Sequence, residues 1–109
     1  MLVKINKNFL APPVARIPLN NGRYAIVDPD WFDVLNAFTW YAKKSFSCWY
    51  AVRKETLNGS CYLVRMHRVV ADTPPGLVCH HINRNPLDNR RLNLQNMSQF
   101  EHQKLYSWR

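Results

Sequence analysis

At 109 residues the chain is long enough for one domain with a modest core and too short for two independent ones. Its 47% hydrophobic and 20% charged residues exclude a disordered composition, and no apolar run approaches the ~20 residues of a membrane span. A formal net charge of +8 points to a polyanionic partner, the bland alternative being a basic protein with no specific anion to bind.

Met1 to Phe9 alternates lysines with apolar residues and lacks a long apolar core, so no secretory signal is expected. Residues 1–16, with Pro12-Pro13 and no clear period, read as an arm. Arg23 to Val27 reads as a short strand. Asp28-Pro29-Asp30 then starts a helix: Asp28 can cap, Pro29 suits the first helical position, and Asp30 favours the positive end of the dipole. Trp31, Val34, Leu35 and Phe38 follow at helical spacing and predict one apolar face.

Three strand-like runs come next, Thr39–Lys44, Cys48–Glu55 and Ser60–Met66. Asn58-Gly59 between the last two is a hairpin signal, because both central positions of a type I′ turn need positive φ. An antiparallel meander is expected, with Lys43, Lys44, Arg53, Lys54 and Arg65 spread along it, either for DNA contact or simply to solvate the sheet. Basic residues are interleaved with aromatics here, which suits a nucleic-acid surface, although most of those rings should be core. Met66 to Ala71 can turn into a short helix, and Pro74-Pro75-Gly76 marks the internal boundary. Cys48, Cys61 and Cys79 are odd in number and lack C-x-x-C spacing, so a reducing, cytoplasmic setting fits better than a disulfide framework.

After Gly76, Leu77–Ile82 is a short apolar strand that carries the adjacent pair His80-His81. Asn83 to Arg91 is rich in turn formers, and Leu92–Met97 can form a second strand. Ser98-Gln99-Phe100-Glu101 is a capping box, which puts His102 in the first turn of a helix running towards Trp108. His67, by contrast, reads as a surface or packing histidine.

His80-His81, then Asn93, then His102 resembles the histidine–asparagine–histidine pattern of HNH endonucleases, in the ββα-metal group. The run His81-Ile-Asn followed by Leu87-Asp-Asn-Arg-Arg-Leu-Asn-Leu is similar to that of phage and homing enzymes of this type. Ile17-Pro-Leu, Tyr24-Ala-Ile-Val-Asp, Trp40-Tyr-Ala and Met66-His-Arg also resemble segments that precede the motif in such proteins, so the likeness covers most of the chain beyond residue 16.

The resemblance implies an α+β fold, a small antiparallel meander with short helices followed by a C-terminal ββα-metal motif. Residues 1–76 would be the β-rich arm and meander that docks DNA, and 77–109 the nuclease motif, together one compact unit. It implies hydrolysis of DNA phosphodiester bonds, leaving a 5′-phosphate and a 3′-hydroxyl, with His81 as general base. His80 and His102 would hold one divalent metal ion (Mn, Mg, Zn, Ni or Co), Asn93 would restrain the loop and help hold the base, and Asp88 and Asn89 would brace the loop. Arg84, Arg90 and Arg91 would contact phosphate. An aspartate is common in the family where this chain has His80, which bears on metal preference.

The residue types suit that chemistry independently. Phosphodiester hydrolysis needs an activated water, neutralised transition-state charge and help for the leaving oxygen. A neutral imidazole can take the water's proton near pH 7. One base histidine means one active site, so nicking by a monomer is expected rather than paired cutting by a dimer. The expected partner is DNA, with no membrane, in the cytoplasm of a bacterial host if the gene is phage-borne. Two other readings compete: a non-cleaving DNA-binding module on the same fold, and a zinc-stabilised module using Cys79, His80 and His102.

Overall fold

A computed structural model describes residues 13–107, and the N-terminal residues 1–12 together with Trp108 and Arg109 lie outside it. The described residues form an α+β fold, as expected, with three small antiparallel sheets and three short α-helices. Strand β1 (Ala15–Pro18) pairs with β2 (Tyr24–Val27), with Ile17 opposite Ala25. The expected arm thus contributes a strand at its end: Ile17 is buried against the core, which outweighs the weak local pattern around the prolines.

Helix α1 (Pro29–Asn36) follows, with Pro29 at its start. Asp28 occupies the cap position but makes no side-chain capping bond. Its carboxylate instead accepts a hydrogen bond from the Arg91 amide at 2.8 Å, across 63 residues of sequence. The expected apolar face is only half realised. Leu35 is buried and Trp31 and Phe32 pack on the core, while Val34 and Phe38 are exposed. Trp40 closes the helix end by donating its indole N–H to the Leu35 carbonyl at 2.7 Å.

The meander is β3 (Tyr41–Ser45), β4 (Cys48–Leu57) and β5 (Ser60–Arg65), in that order in one sheet. Asn58 and Gly59 both take positive φ, +52° and +79°, as the hairpin signal requires. Helix α2 (Met66–Val70) then drops Met66 and Val70 into the core with Ile17, Ala25, Val27, Leu35, Trp40 and Ala51. Strands β6 (Leu77–His81) and β7 (Leu94–Ser98) form the third sheet, and helix α3 (Gln99–Ser107) ends the described chain.

The capping box forms as read: Ser98 donates its amide to Glu101 Oε1 at 2.9 Å, and Glu101 donates its amide to Ser98 Oγ at 3.0 Å. The second strand of the motif begins later than expected, because Arg91–Asn93 form a turn of 3₁₀ helix. Among the described residues the three cysteines are free thiols, and no helix is long and apolar enough to cross a membrane.

The loop between β6 and β7 is fastened to the N-terminal sheet. Ile26 donates its amide to the Leu87 carbonyl at 2.8 Å, and Asn89 donates its amide to the Ile26 carbonyl at 2.7 Å. Leu87 and Leu94 also pack on the main core. These bonds cross the Pro74-Pro75-Gly76 boundary and join the two parts of the chain.

Candidate active site

His80 and His81 are consecutive on β6, opposite Gln95 and Leu94 of β7. Adjacent strand residues point to opposite faces, so their rings diverge. His80 turns to His102, with ring centroids 5.4 Å apart, and the capping box that starts α3 is what brings His102 there. His81 is the last residue of its strand and turns to His67, 4.8 Å away edge-on, with the Tyr50 ring 6.4 Å from it. All four histidines nevertheless line one cavity of about 590 Å³.

Asn89 fixes the protonation of His81. Its side-chain oxygen lies 2.8 Å from His81 Nε2, and an amide oxygen can only accept, so the contact is a hydrogen bond in the tautomer that carries its proton on Nε2. The unprotonated nitrogen is then Nδ1. Burial pushes the His81 pKa down, with the Asn89 bond and the Asp88 charge partly opposing it. His80 is also pushed down, first by burial and then by the positive charges His102 and Arg84 would present. Both rings are therefore neutral near pH 7, as a proton acceptor or a metal ligand must be.

Asn93 is buried and works on the loop rather than on His81. Its oxygen accepts from the Asn83 amide at 2.9 Å, and its NH₂ donates to Asn83 Oδ1 at 2.9 Å and to the Asp88 carbonyl at 2.8 Å. The side-chain bond to His81 comes from Asn89 instead. Asp88, also buried, accepts from Asn83 Nδ2 at 2.8 Å and from Arg90 Nε and Nη2 at 2.7 Å each. These donors hold its carboxyl below the usual range despite burial, and the carboxylate in turn raises Arg90. Arg90 is thus committed to a bidentate pair inside the loop, which departs from its expected role as a phosphate contact. Arg91 is exposed beside it, anchored through its amide to Asp28.

The meander cations fall into two sets. Directly opposed residues share a face, and the side-chain period along a strand is two. Lys43 opposes Tyr50, Arg65 opposes Val52, and Lys54 lies two residues beyond Val52, so these three share the face of Tyr50. Tyr50 and Arg65 line the histidine cavity, as does Arg84. Lys44 and Arg53 belong to the other face, contrary to a single basic surface. Arg53 is paired with Glu55 at 2.7 Å and lies over the Phe38 ring at 4.1 Å.

His67 is the residue the sequence reading underrated. It is 7% exposed, borders the cavity, and has its pKa lowered to about 3 by burial first and then by His81, Arg65 and Arg68. Its sequence signals are the Met66-His-Arg run noted above and its place at the second position of α2, between the buried Met66 and Arg68.

That burial has a measurable cost in acid. In the unfolded chain His67 takes up a proton near pH 6.5, while the folded protein resists it until about pH 3, so stability is lost as pH falls through that interval. The expected loss by pH 5 is about 2 kcal/mol. His67→Phe should flatten the fall in Tm between pH 7 and pH 5, measured in EDTA. An unchanged pH slope in that variant would show that His67 is not what resists protonation.

The donor set bears on whether an ion could sit here. Two imidazoles sharing an ion through bonds of about 2.1 Å stand with ring centroids roughly 4.6–5.3 Å apart, and the 5.4 Å between His80 and His102 lies just outside that span, so a common seat needs a small movement of the rings. Among the described residues no group of three or more His, Cys, Asp or Glu is gathered that could hold an ion alone. Water or substrate oxygens would have to complete such a seat. Cys79 does not join these histidines, its thiol being turned to the His67 carbonyl at 3.7 Å. Compared with known proteins, the chain matches no family model, no curated protein and no solved structure, so any chemistry assigned to this cavity must follow from its own residues.

Proposed function

We propose that the chain is a metal-dependent DNA endonuclease that nicks duplex DNA by phosphodiester hydrolysis. The observation that carries this reading is the His81–Asn89 bond: it leaves a neutral imidazole with a defined proton-accepting nitrogen, in a cavity that also holds the His80–His102 pair. His81 Nδ1 takes the proton of the attacking water. Asn89 holds the ring in the tautomer that makes this possible; its amide is anchored to the Ile26 carbonyl, and the Asn83–Asp88–Arg90–Asn93 network fixes the loop around it. His80 and His102 would hold one divalent ion, which supplies Lewis-acid stabilisation of the phosphoryl oxygens and the leaving group. Two imidazole ligands favour Mn²⁺, Co²⁺, Ni²⁺ or Zn²⁺ over Mg²⁺ in binding.

The DNA backbone is received by Lys43, Lys54 and Arg65 on the cavity face of the meander, with Arg84 and Arg91 beside the loop. The net charge of +8 supports a polyanionic substrate.

A time course on supercoiled plasmid tests the reading, run with each of several divalent metals and with EDTA as control. Open circles should appear first and linear DNA only later, as nicks coincide. Binding without cutting under every metal would leave a non-cleaving DNA-binding module. Linear product from the start would mean paired active sites.

A further inference from the structure

The β3–β4 hairpin turns in two residues, Phe46 and Ser47, with Ser45 and Cys48 paired at its base. Phe46 is 99% exposed and holds φ at +57°, a region that glycine or asparagine ordinarily occupies. Neither property helps the fold: the ring buries no surface, and a bulky side chain is disfavoured at that backbone angle. The ring does have a consistent place. Ser45, Phe46 and Cys48 border the same cavity as His80, His81 and His102.

The hairpin is short and paired up to Ser45 and Cys48, so it fixes the backbone that carries the ring at the cavity rim. Lys43 lies three residues before it, and Arg65 and Arg84 line the same cavity. A polyanion entering towards the histidines therefore meets an apolar ring set among cations. Stacked bases are the part of duplex DNA that rewards an inserted apolar side chain, which partly unstacks a base step and kinks the helix.

We propose that Phe46 is an apolar wedge that inserts between base pairs of duplex DNA next to the phosphate presented to His81. This rests on the endonuclease reading above. The kink would widen the groove at one step and turn the adjacent phosphate into the cavity.

Unwinding of closed circular DNA tests the wedge without needing a target sequence. Plasmid is relaxed by a metal-independent type IB topoisomerase in EDTA, with and without the wild-type protein, and the linking number is read after deproteinisation. Bound protein should lower the linking number in proportion to occupancy, which is measured separately by filter binding. Phe46→Gly removes the ring and suits the positive φ, so the variant folds at least as well; at equal occupancy it should keep less than about a fifth of the shift. Phe46→Leu, still apolar, should keep most of it. No binding, no shift, or an equal shift from Phe46→Gly overturns the proposal. Cleavage plays no part in this measurement. A protein that unwinds DNA yet never cuts it under any metal upholds the wedge and sinks the nuclease, and one that cuts without unwinding does the reverse.

Discussion

His81→Ala should lower the rate of plasmid nicking by about 10²–10⁴-fold, the usual cost of removing a general base. DNA affinity should stay nearly unchanged, because the phosphate contacts assigned to Lys43, Lys54, Arg65 and Arg84 do not involve this ring. The expectation rests on one bond: Asn89 Oδ1 accepts a hydrogen bond from Nε2–H, so Nδ1 is the nitrogen available to a water. His80 and His102 face each other, and His67, held neutral down to about pH 3, is far too weak a base to replace it. A quiet failure to fold would mimic the result, so Tm of the variant must be measured alongside. Asn89→Asp provides a second check, since a carboxylate at that bond would stabilise the protonated ring and shift the base. More than about a tenth of wild-type cleavage in His81→Ala would move the base elsewhere.

Asp88→Ala should be the most destabilising single change in the loop. The carboxylate takes two bonds from the Arg90 guanidinium and one from Asn83 at 2.7–2.8 Å, a longer one from the Arg90 amide at 3.4 Å, and is 3% exposed. Its removal strands a guanidinium that is itself largely covered, and breaking a buried pair of this kind costs up to 3–5 kcal/mol. Arg90 retains 29% side-chain exposure and can recover some hydration, so about 2–4 kcal/mol is expected. For a chain of this size that corresponds to a fall in Tm of roughly 10–25 °C. Asp88→Asn would not rescue it fully, because every neighbour of the carboxylate is a donor and the amide would present one of its own. A Tm loss below about 4 °C in Asp88→Ala would mean that the loop is held by its backbone bonds alone.

Local chemistry made much of this legible in the sequence. The Asn58-Gly59 turn, the three meander strands and the Ser98–Glu101 box all follow from short-range rules, and all stand within a residue or two of where they read. The failures share a cause, which is that they depend on partners distant in sequence. Asp28 has a cap's identity but finds a better donor in the Arg91 amide. Asn93 restrains the loop as expected, but the bond to His81 falls to Asn89, because only the folded loop decides which amide reaches that ring. Arg90 and Arg91 look equivalent on paper, yet one is consumed by Asp88. His67 reads as an ordinary histidine until α2 lays it against β6. Spacing can name a set of chemically apt residues; it cannot say which of them face one another.

The two backbone bonds between Ile26 and the Leu87–Asn89 segment carry a consequence for engineering. Asn89, the residue that sets the tautomer of His81, is held in register by a strand more than 50 positions upstream. The histidine motif is therefore not a transferable cassette. Residues 77–109 grafted onto another host would arrive with their loop unhemmed along one edge, and the His81–Asn89 geometry would be lost although every residue of the motif was present. A functional transplant must bring Tyr24–Val27 with it, or supply an edge strand of the same register.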